Sequence, residues 1–262
     1  MKRVYIVVAA LLALTSVCRA QLSAKMSIIH HNIHSGGQPR AAADAIIDLL
    51  EMTPQKAIVQ VNEANYAREY FDFSYGGWHN IWPSSPFEGR GNAIFVRDAA
   101  ATLVASWVMT MQEPWTHNKP KDPRIYPVVR CQLVANPWVL FHCVDVHFPT
   151  DRAGNGPARQ ESVDRLIELS ETYPDQPLII CGDFNMGEDE VRRRVAVPIG
   201  GKLYSNASVD HIIVRDSKDV GFADPVKVTR LGLLGSDHQA LRYDLTFKQL
   251  DDPSGISDWS LY

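Results

Sequence analysis

A strong excess of basic charge is the first thing this 262-residue sequence lacks: 26 Lys and Arg stand against 30 Asp and Glu, a formal net charge of −4. A sequence-independent grip on nucleic acid through a broad basic face is therefore not announced, and any phosphate binding must be local. Cysteine is scarce as well, with four residues and no Cys-x-x-Cys, and His-Glu-x-x-His is missing, so a tetrahedral zinc site has poor support. The absence of a Gly-x-Ser-x-Gly elbow and of a Gly-x-x-x-x-Gly-Lys loop removes serine acyl transfer and nucleoside triphosphate motors. There is no repeat, charge block or low-complexity linker. With 45% hydrophobic and 21% charged residues, the chain can build the core of one large domain, or at most two small ones.

Long apolar runs are missing too, except at the start, where MKR precedes VYIVVAALLALTSV and the small-residue end 18-CRA-20. This pattern predicts a secretory leader, residues 1–20, cleaved near Ala20. The apolar run, about fourteen residues, falls short of the roughly 20 that span a bilayer, so a secreted or periplasmic chain without a stable membrane anchor is expected. Cys18 leaves a lipoprotein as the lesser alternative, because Val17 before it is larger than the residue expected there. Cleavage removes Lys2, Arg3 and Arg19 and no acid, which takes the charge from −4 to about −7. Cys131, Cys143 and Cys181 remain. If 126–134 and 138–146 form a hairpin, Cys131 and Cys143 lie about opposite each other and a cross-strand disulfide is geometrically possible. Buried reduced thiols are the other reading.

Periodicity predicts two helices, 39–52 with Ala42, Ile46, Leu49 and Leu50 on one stripe, and 157–173 with Val163, Leu166, Ile167 and Ser170 along one face. Both open at proline. Strands are expected from 27, and at 57–61, 91–97, 102–111, 126–134, 138–147, 177–183, 208–214 and 238–247. Tyr66 to Pro86 reads as a short helical turn with a surface loop, and the polar tail 249–262 as frayed. Few helices and many strands favour an α/β sandwich of two facing sheets with helices outside, a single domain over 21–248.

Chemistry collects where apolar strands end. Asn32 follows Ile28 and Ile29, Glu63 follows AIVQV, His147 follows WVLFHCVDV, and Asp183 with Asn185 closes 177-PLIICGDFN-185. Asp210, Asp237 and His238 add carboxylates and an imidazole near the ends of two further strands. Several strands delivering such groups to one edge is how a sheet builds a pocket. Hard oxygen donors suit magnesium, manganese or calcium. A hard cation with acid-base groups and amides suits phosphoester hydrolysis. His30, His31, His34, His79, His117 and His142 read as satisfied structural histidines, Trp78, Trp82 and Trp115 as cover for the core edge, and 192-RRR-194, after 188-EDE-190, as a solvated charged face.

The ordered set Asn32 in HHNIHSGG, Glu63 in VNEA, His147 in VDVHFP, GDFN at 182–185, VDHI at 209–212 and SDH at 236–238 resembles the endonuclease/exonuclease/phosphatase superfamily over about residues 27–247. The resemblance implies the deoxyribonuclease I-like fold, a four-layered α/β sandwich. It implies Glu63 as main metal ligand with Asn32 and Asp237 nearby, for Mg2+ with Mn2+ or Ca2+ as alternatives. Asp183 and Asn185 would orient or deprotonate the attacking water, and His238, with Asp210 on its imidazole, would contact the scissile phosphate. His147 would serve the leaving group, and Arg124 and Arg159 would contact phosphate. The sequence departs from the pattern at Asn62, where Gln often precedes the glutamate, and at His31, where an aromatic often precedes the first Asn. It departs again in having no clear equivalent of the carboxylate that partners the His147 position, unless Glu88 in 86-PFEGRGN-92 serves. The activity implied is that of a secreted, monomeric phosphodiesterase, with nucleic acid as the leading substrate. A sphingomyelinase-like or inositol-phosphate hydrolase and a catalytically silent binding member are the alternatives.

Overall fold

The stretches read as helices do fold as helices, each entered through a proline whose fixed φ suits the first turn. Helix α1 spans Pro39–Glu51 and α2 spans Gly156–Thr172. The structure, a computed structural model, describes residues 23–34, 38–64, 67–71, 74–83, 91–111, 124–151, 155–206 and 208–250. The expected leader, the tail from 251 onward, and Gly36, Gly37, Tyr66, Pro86, Glu88, Trp115 and His117 lie outside the described residues. No described helix is long and apolar enough to cross a membrane.

The chain lays down β1 (Ser23–Asn32), β2 (Ala57–Asn62), β3 (Ser74–Tyr75), β4 (Trp78–Ile81) and β5 (Ala93–Arg97) in one sheet. It crosses to a second sheet for β6 (Ala101–Thr110), β7 (Ile125–Leu133), β8 (Leu140–His147), β9 (Leu178–Asp183), β10 (Lys202–Ser205) and β11 (Asp210–Arg215). It then returns to the first with β12 (Val220–Phe222), β13 (Lys227–Gly232) and β14 (Ala240–Gln249). The spatial orders are β12-β14-β1-β2-β5-β4-β3, with β13 also on β14, and β10-β11-β9-β8-β7-β6.

Each sheet has one parallel pair at its centre, β1 with β2 and β8 with β9, and each pair is joined by a helix, α1 or α2. A parallel pair needs such a crossover, and it brings the C-terminal ends of both strands to the same edge. Inward faces of the two sheets meet through Ile28, Ile58, Ile94, Cys143, Ile179, Tyr243 and Phe247. The α1 stripe, Ala42, Ile46, Leu49 and Leu50, covers the outer face of the first sheet. Val163, Leu166 and Leu169 of α2 cover the second. Four layers result, as expected from the sequence.

Several small elements were not legible. Gly76 and Gly77, both at positive φ, turn a β3–β4 hairpin inside the stretch expected as loop, and β10, β12 and β13 are short or half-exposed strands without a strong apolar alternation. Helix α3 (Glu188–Val191) runs on as a π-helix over Arg192–Ala196. Arg192 and Arg194 pair with Glu188 and Glu190 one turn back, which makes this the solvated charged face the sequence indicated. Cys131, Cys143 and Cys181 are free and buried. The β7–β8 register places Cys131 opposite Phe141 and Cys143 opposite Val129, so the two sulfurs do not share a facing pair and the disulfide reading gives way to reduced thiols.

Candidate active site

Side chains two residues apart on a strand share a face, and the inter-sheet faces change character toward one edge. Across β1 and β2 the register runs Ile28–Ile58, His30–Gln60, Asn32–Asn62. Across β8 and β9 it runs Cys143–Ile179, Asp145–Cys181, His147–Asp183. An apolar layer thus gives way to a mixed layer and then to a polar rim. Asp210 at the start of β11 pairs with Asp183 and joins that rim, and His238 precedes β14.

Asp210 is buried, and its carboxylate accepts from His30 Nε2 at 3.1 Å, from His238 Nδ1 at 2.9 Å and from the Ser208 hydroxyl at 2.9 Å. Burial opposes its ionisation, but the hydrogen bonds and charge of His238 and His30 outweigh it and hold the carboxyl well below the usual carboxylate range. The same bond to Asp210, against the cost of burial, raises His238 from 6.5 to about 9. His238 is therefore a cation at neutral pH, and its Nε2–H lies 3.9 Å from Asp183 Oδ2. Asp183 is pushed from 3.8 to about 6, first by burial and then by the charge of Asp210.

His147 has the opposite proton state. Arg124 Nη1 donates to its Nδ1 at 3.0 Å, which leaves the imidazole neutral with its proton on Nε2. That nitrogen lies 3.6 Å from Glu63 Oε1 and 3.7 Å from Asp183 Oδ2. Asn32 Nδ2 donates to Asp183 Oδ2 at 3.1 Å and to Glu63 Oε1 at 3.3 Å. One carboxylate oxygen is thus ringed by an amide, a neutral imidazole and an imidazolium. The two imidazole separations exceed hydrogen-bond length, which leaves Asp183 Oδ2 room for a further small oxygen group beside it.

Glu63 leaves the end of β2 at φ +54, and His34 and Asn185 are also at positive φ, +45 and +48. Three non-glycine residues in this conformation at one edge mark stored backbone strain of the kind found at functional sites. Asn185 N–H donates to Asp183 Oδ1 at 2.7 Å and its side-chain amide to the Phe148 carbonyl at 2.9 Å. Arg159 lies behind that loop, on Asp151 at 2.7 Å and on the Asn185 carbonyl at 3.3 Å, whereas Arg124 lies against His147. Asp237 is exposed, and His34 Nδ1 spans 3.8 Å to it and 3.5 Å to Glu63.

The carboxylates of Glu63 and Asp237 are hard oxygen donors at the open side and fit a divalent cation; Asn32 turns its NH2 to Glu63 and Asp183, and its Oδ1 accepts from the His34 N–H. Asp183, Asp210 and His238 also bring one ligand atom each within 4.8 Å of one another. In that trio the His238 Nδ1–H is taken up by Asp210, so its Nε2, 3.9 Å from Asp183 Oδ2, is the nitrogen that faces the rest of the site.

A profile of the Endonuclease/Exonuclease/phosphatase family matches residues 20–238. The chain belongs to this family. It is accordingly a phosphoric ester hydrolase of a family whose enzymes use divalent metal ions. No curated protein sequence gives a significant match. Among solved structures, D. rerio TDP2 complexed with a single-strand DNA product is similar at TM-score 0.64 and 17% identity, covering 86% of this chain and 99% of that one. The human Nocturnin catalytic domain with bound sulfate gives 0.63 and 17%, over 87% and 96%. The Bacteroides thetaiotaomicron mannosyl-6-phosphatase gives 0.59 and 16%, over 84% and 99%. At such identities the likeness is one of fold, the deoxyribonuclease I-like sandwich.

In this family member all ten site residues expected from the sequence fall at or just behind the same edge. His30 and His34, expected to be structural, are in it: His30 holds Asp210, and His34 faces Glu63 and Asp237. Ser236 was not singled out either; its hydroxyl donates to the Asn32 carbonyl at 2.6 Å and accepts the His238 N–H at 3.0 Å. The usable signal for His30 was its place two residues before Asn32 on the same strand face.

Proposed function

We propose that this family member is an exported, divalent-metal-dependent phosphodiesterase that cleaves nucleic acid by attack of a water on the scissile phosphorus. The observation that carries the reading is the arrangement around Asp183 Oδ2, with the Asn32 amide at 3.1 Å and the His147 and His238 Nε2 atoms at 3.7 and 3.9 Å, and with the carboxyl raised to about 6 by burial and by the charge of Asp210. Such a carboxyl is matched to take a proton from water near neutral pH. The imidazolium of His238 answers the charge that builds on the phosphoryl oxygens, and the His147 N–H donates toward the departing oxygen. Asn185 and Asn32 hold Asp183 by both oxygens and so fix the direction of attack. A divalent ion held by Glu63 and Asp237, with Asn32 beside it, supplies further neutralisation of phosphate charge when bound.

Two features support nucleic acid as the substrate. D. rerio TDP2, which shares the fold, is described with a single-strand DNA product. A cavity of about 590 Å³ is lined by Asp210, Asp237 and His238 of the site and extends past them to Asn206, Ser208, Arg230 and Gln239, with Arg230 anchored on the Asn206 carbonyl. It offers a cation and amides for a phosphate next to the scissile one. Export rests on the leader pattern in residues 1–20.

The test is a substrate panel with the chain from residue 21: DNA and RNA oligonucleotides, sphingomyelin vesicles, inositol phosphates and a sugar phosphate, each with Mg2+ or Mn2+ and with EDTA. Metal-dependent oligonucleotide cleavage is expected. Arg230→Ala should raise KM for the oligonucleotide about tenfold and change bis-p-nitrophenyl phosphate hydrolysis little. Hydrolysis of a lipid or monoester with nucleic acid left intact would contradict the reading.

A further inference from the structure

The site is divided between two sheets: Asn32 and Glu63 come from the first, His147, Asp183 and Asp210 from the second. Something must set the gap between them. One layer below the rim, Asp145 on β8 is fully buried, although the reaction as read above gives it no role. Its Oδ1 accepts from Asn62 Nδ2 at 2.9 Å, across the gap. Asn62 Oδ1 in turn accepts the Asp183 backbone N–H at 3.1 Å, back across the gap. Asn92 on the first sheet's side donates to the Asp145 carbonyl at 3.5 Å. Asp145 Oδ2 has no hydrogen-bond partner, and Gln60, next to Asn62 on that face, has none for either amide atom. A buried carboxyl with one bond is a poor way to stabilise a core, since a well-packed apolar residue would cost less.

Its effect is on orientation. The Asn62 amide has two ways round, and only the one with Nδ2 toward Asp145 lets Oδ1 meet the Asp183 N–H. We propose that Asp145 is a positioning residue that acts through Asn62, locking the second sheet's Asp183 and His147 against the first sheet's Glu63 so that the two halves of the site keep their spacing. The residue next to Asn62 is Glu63, and Asp145 pairs in register with Cys181, two residues before Asp183, so both ends of the lock lie beside site residues. This rests on the phosphodiesterase reading only for its catalytic readout.

The experiment compares Asp145→Asn, which keeps the acceptor, with Asp145→Leu, which removes it, each in the wild-type and Asn62→Leu backgrounds. Hydrolysis of bis-p-nitrophenyl phosphate, calorimetric Mn2+ binding and melting temperature are measured on all. Asp145→Leu should lose about tenfold or more in kcat and in Mn2+ affinity, with KM for substrate within about twofold, all read at matched folded concentration, because the leucine also leaves the buried Asn62 Nδ2 unpaired and lowers the melting temperature. Asp145→Asn should recover most of both losses. The double variant should be no worse than its worse parent, because the two residues act as one unit. Losses that add, an Asp145→Asn as impaired as the leucine variant, or a kcat loss that follows the unfolded fraction would each overturn the proposal. If the wild type hydrolyses nothing, the phosphodiesterase reading falls, and Mn2+ affinity alone still decides whether the lock exists.

Discussion

The proton on His238 is the most consequential single atom in the account, and its behaviour with pH follows from the partners. Its folded value of about 9 lies above the ordinary 6.5, so its contribution to stability is complete below 6.5 and is lost as pH rises through about 9. Asp210 runs the other way: it contributes fully above the ordinary 3.8 and loses that contribution as pH falls toward its lowered folded value. In EDTA, the melting temperature should therefore fall between pH 6.5 and 9, and Asp210→Asn should flatten that slope by removing the cause of the shift. Equal slopes in the two proteins would show that Asp210 does not hold the proton. At this scale the sequence was readable wherever a residue closed an apolar run, as Asp183 and His147 do. It was unreadable for His30, Asn62 and Asp145, because a polar residue inside a strand looks the same whether it faces solvent, core or site. Only the facing sheet, distant in the chain, decides between these.

Among the elements, β9 bears the tightest constraint. Gly182, at φ +150, would place any Cβ 1.9 Å from the Val146 carbonyl oxygen of β8, its parallel neighbour. β8 and β9 approach this closely just before His147 and Asp183. Gly182→Ala should cost about 3 kcal/mol or more in unfolding free energy and lower kcat in the folded fraction, read by denaturant melts and by assay at matched folded concentration. A second constraint sits at the far end of the same sheet. Arg215 on β11 donates to the carbonyls of Ser170, Tyr173 and Gln176 at 2.6 to 2.7 Å and so closes the C-terminus of α2. Arg215→Met should lose about 2 kcal/mol of stability through unpaired helix-end carbonyls while leaving KM unchanged. Long strands and both proline-led helices were legible because their apolar period spans a whole element. The short strands β3, β10, β12 and β13 were not, since at a sheet edge pairing with a neighbour, more than side-chain pattern, decides the conformation.

For the whole molecule, the two helix-joined parallel pairs explain why one fold edge holds everything. Each pair delivers two C-terminal strand ends to the same side, and packing the sheets face to face superposes the ends. The fold follows from that pattern and from the family to which the chain belongs, and the site follows from the polar layer the two pairs share. The central claim is that Asp183 and His238 act together on a phosphodiester in the presence of a divalent ion. Single-turnover hydrolysis of a DNA oligonucleotide by the wild type, Asp183→Ala and His238→Ala, with Mn2+ and with EDTA, tests it most directly. Metal-dependent cleavage by the wild type and a loss of at least about 100-fold in each variant are expected, with Mn2+ affinity retained in His238→Ala. Cleavage that persists in EDTA, or variants that cleave at the wild-type rate, would contradict it.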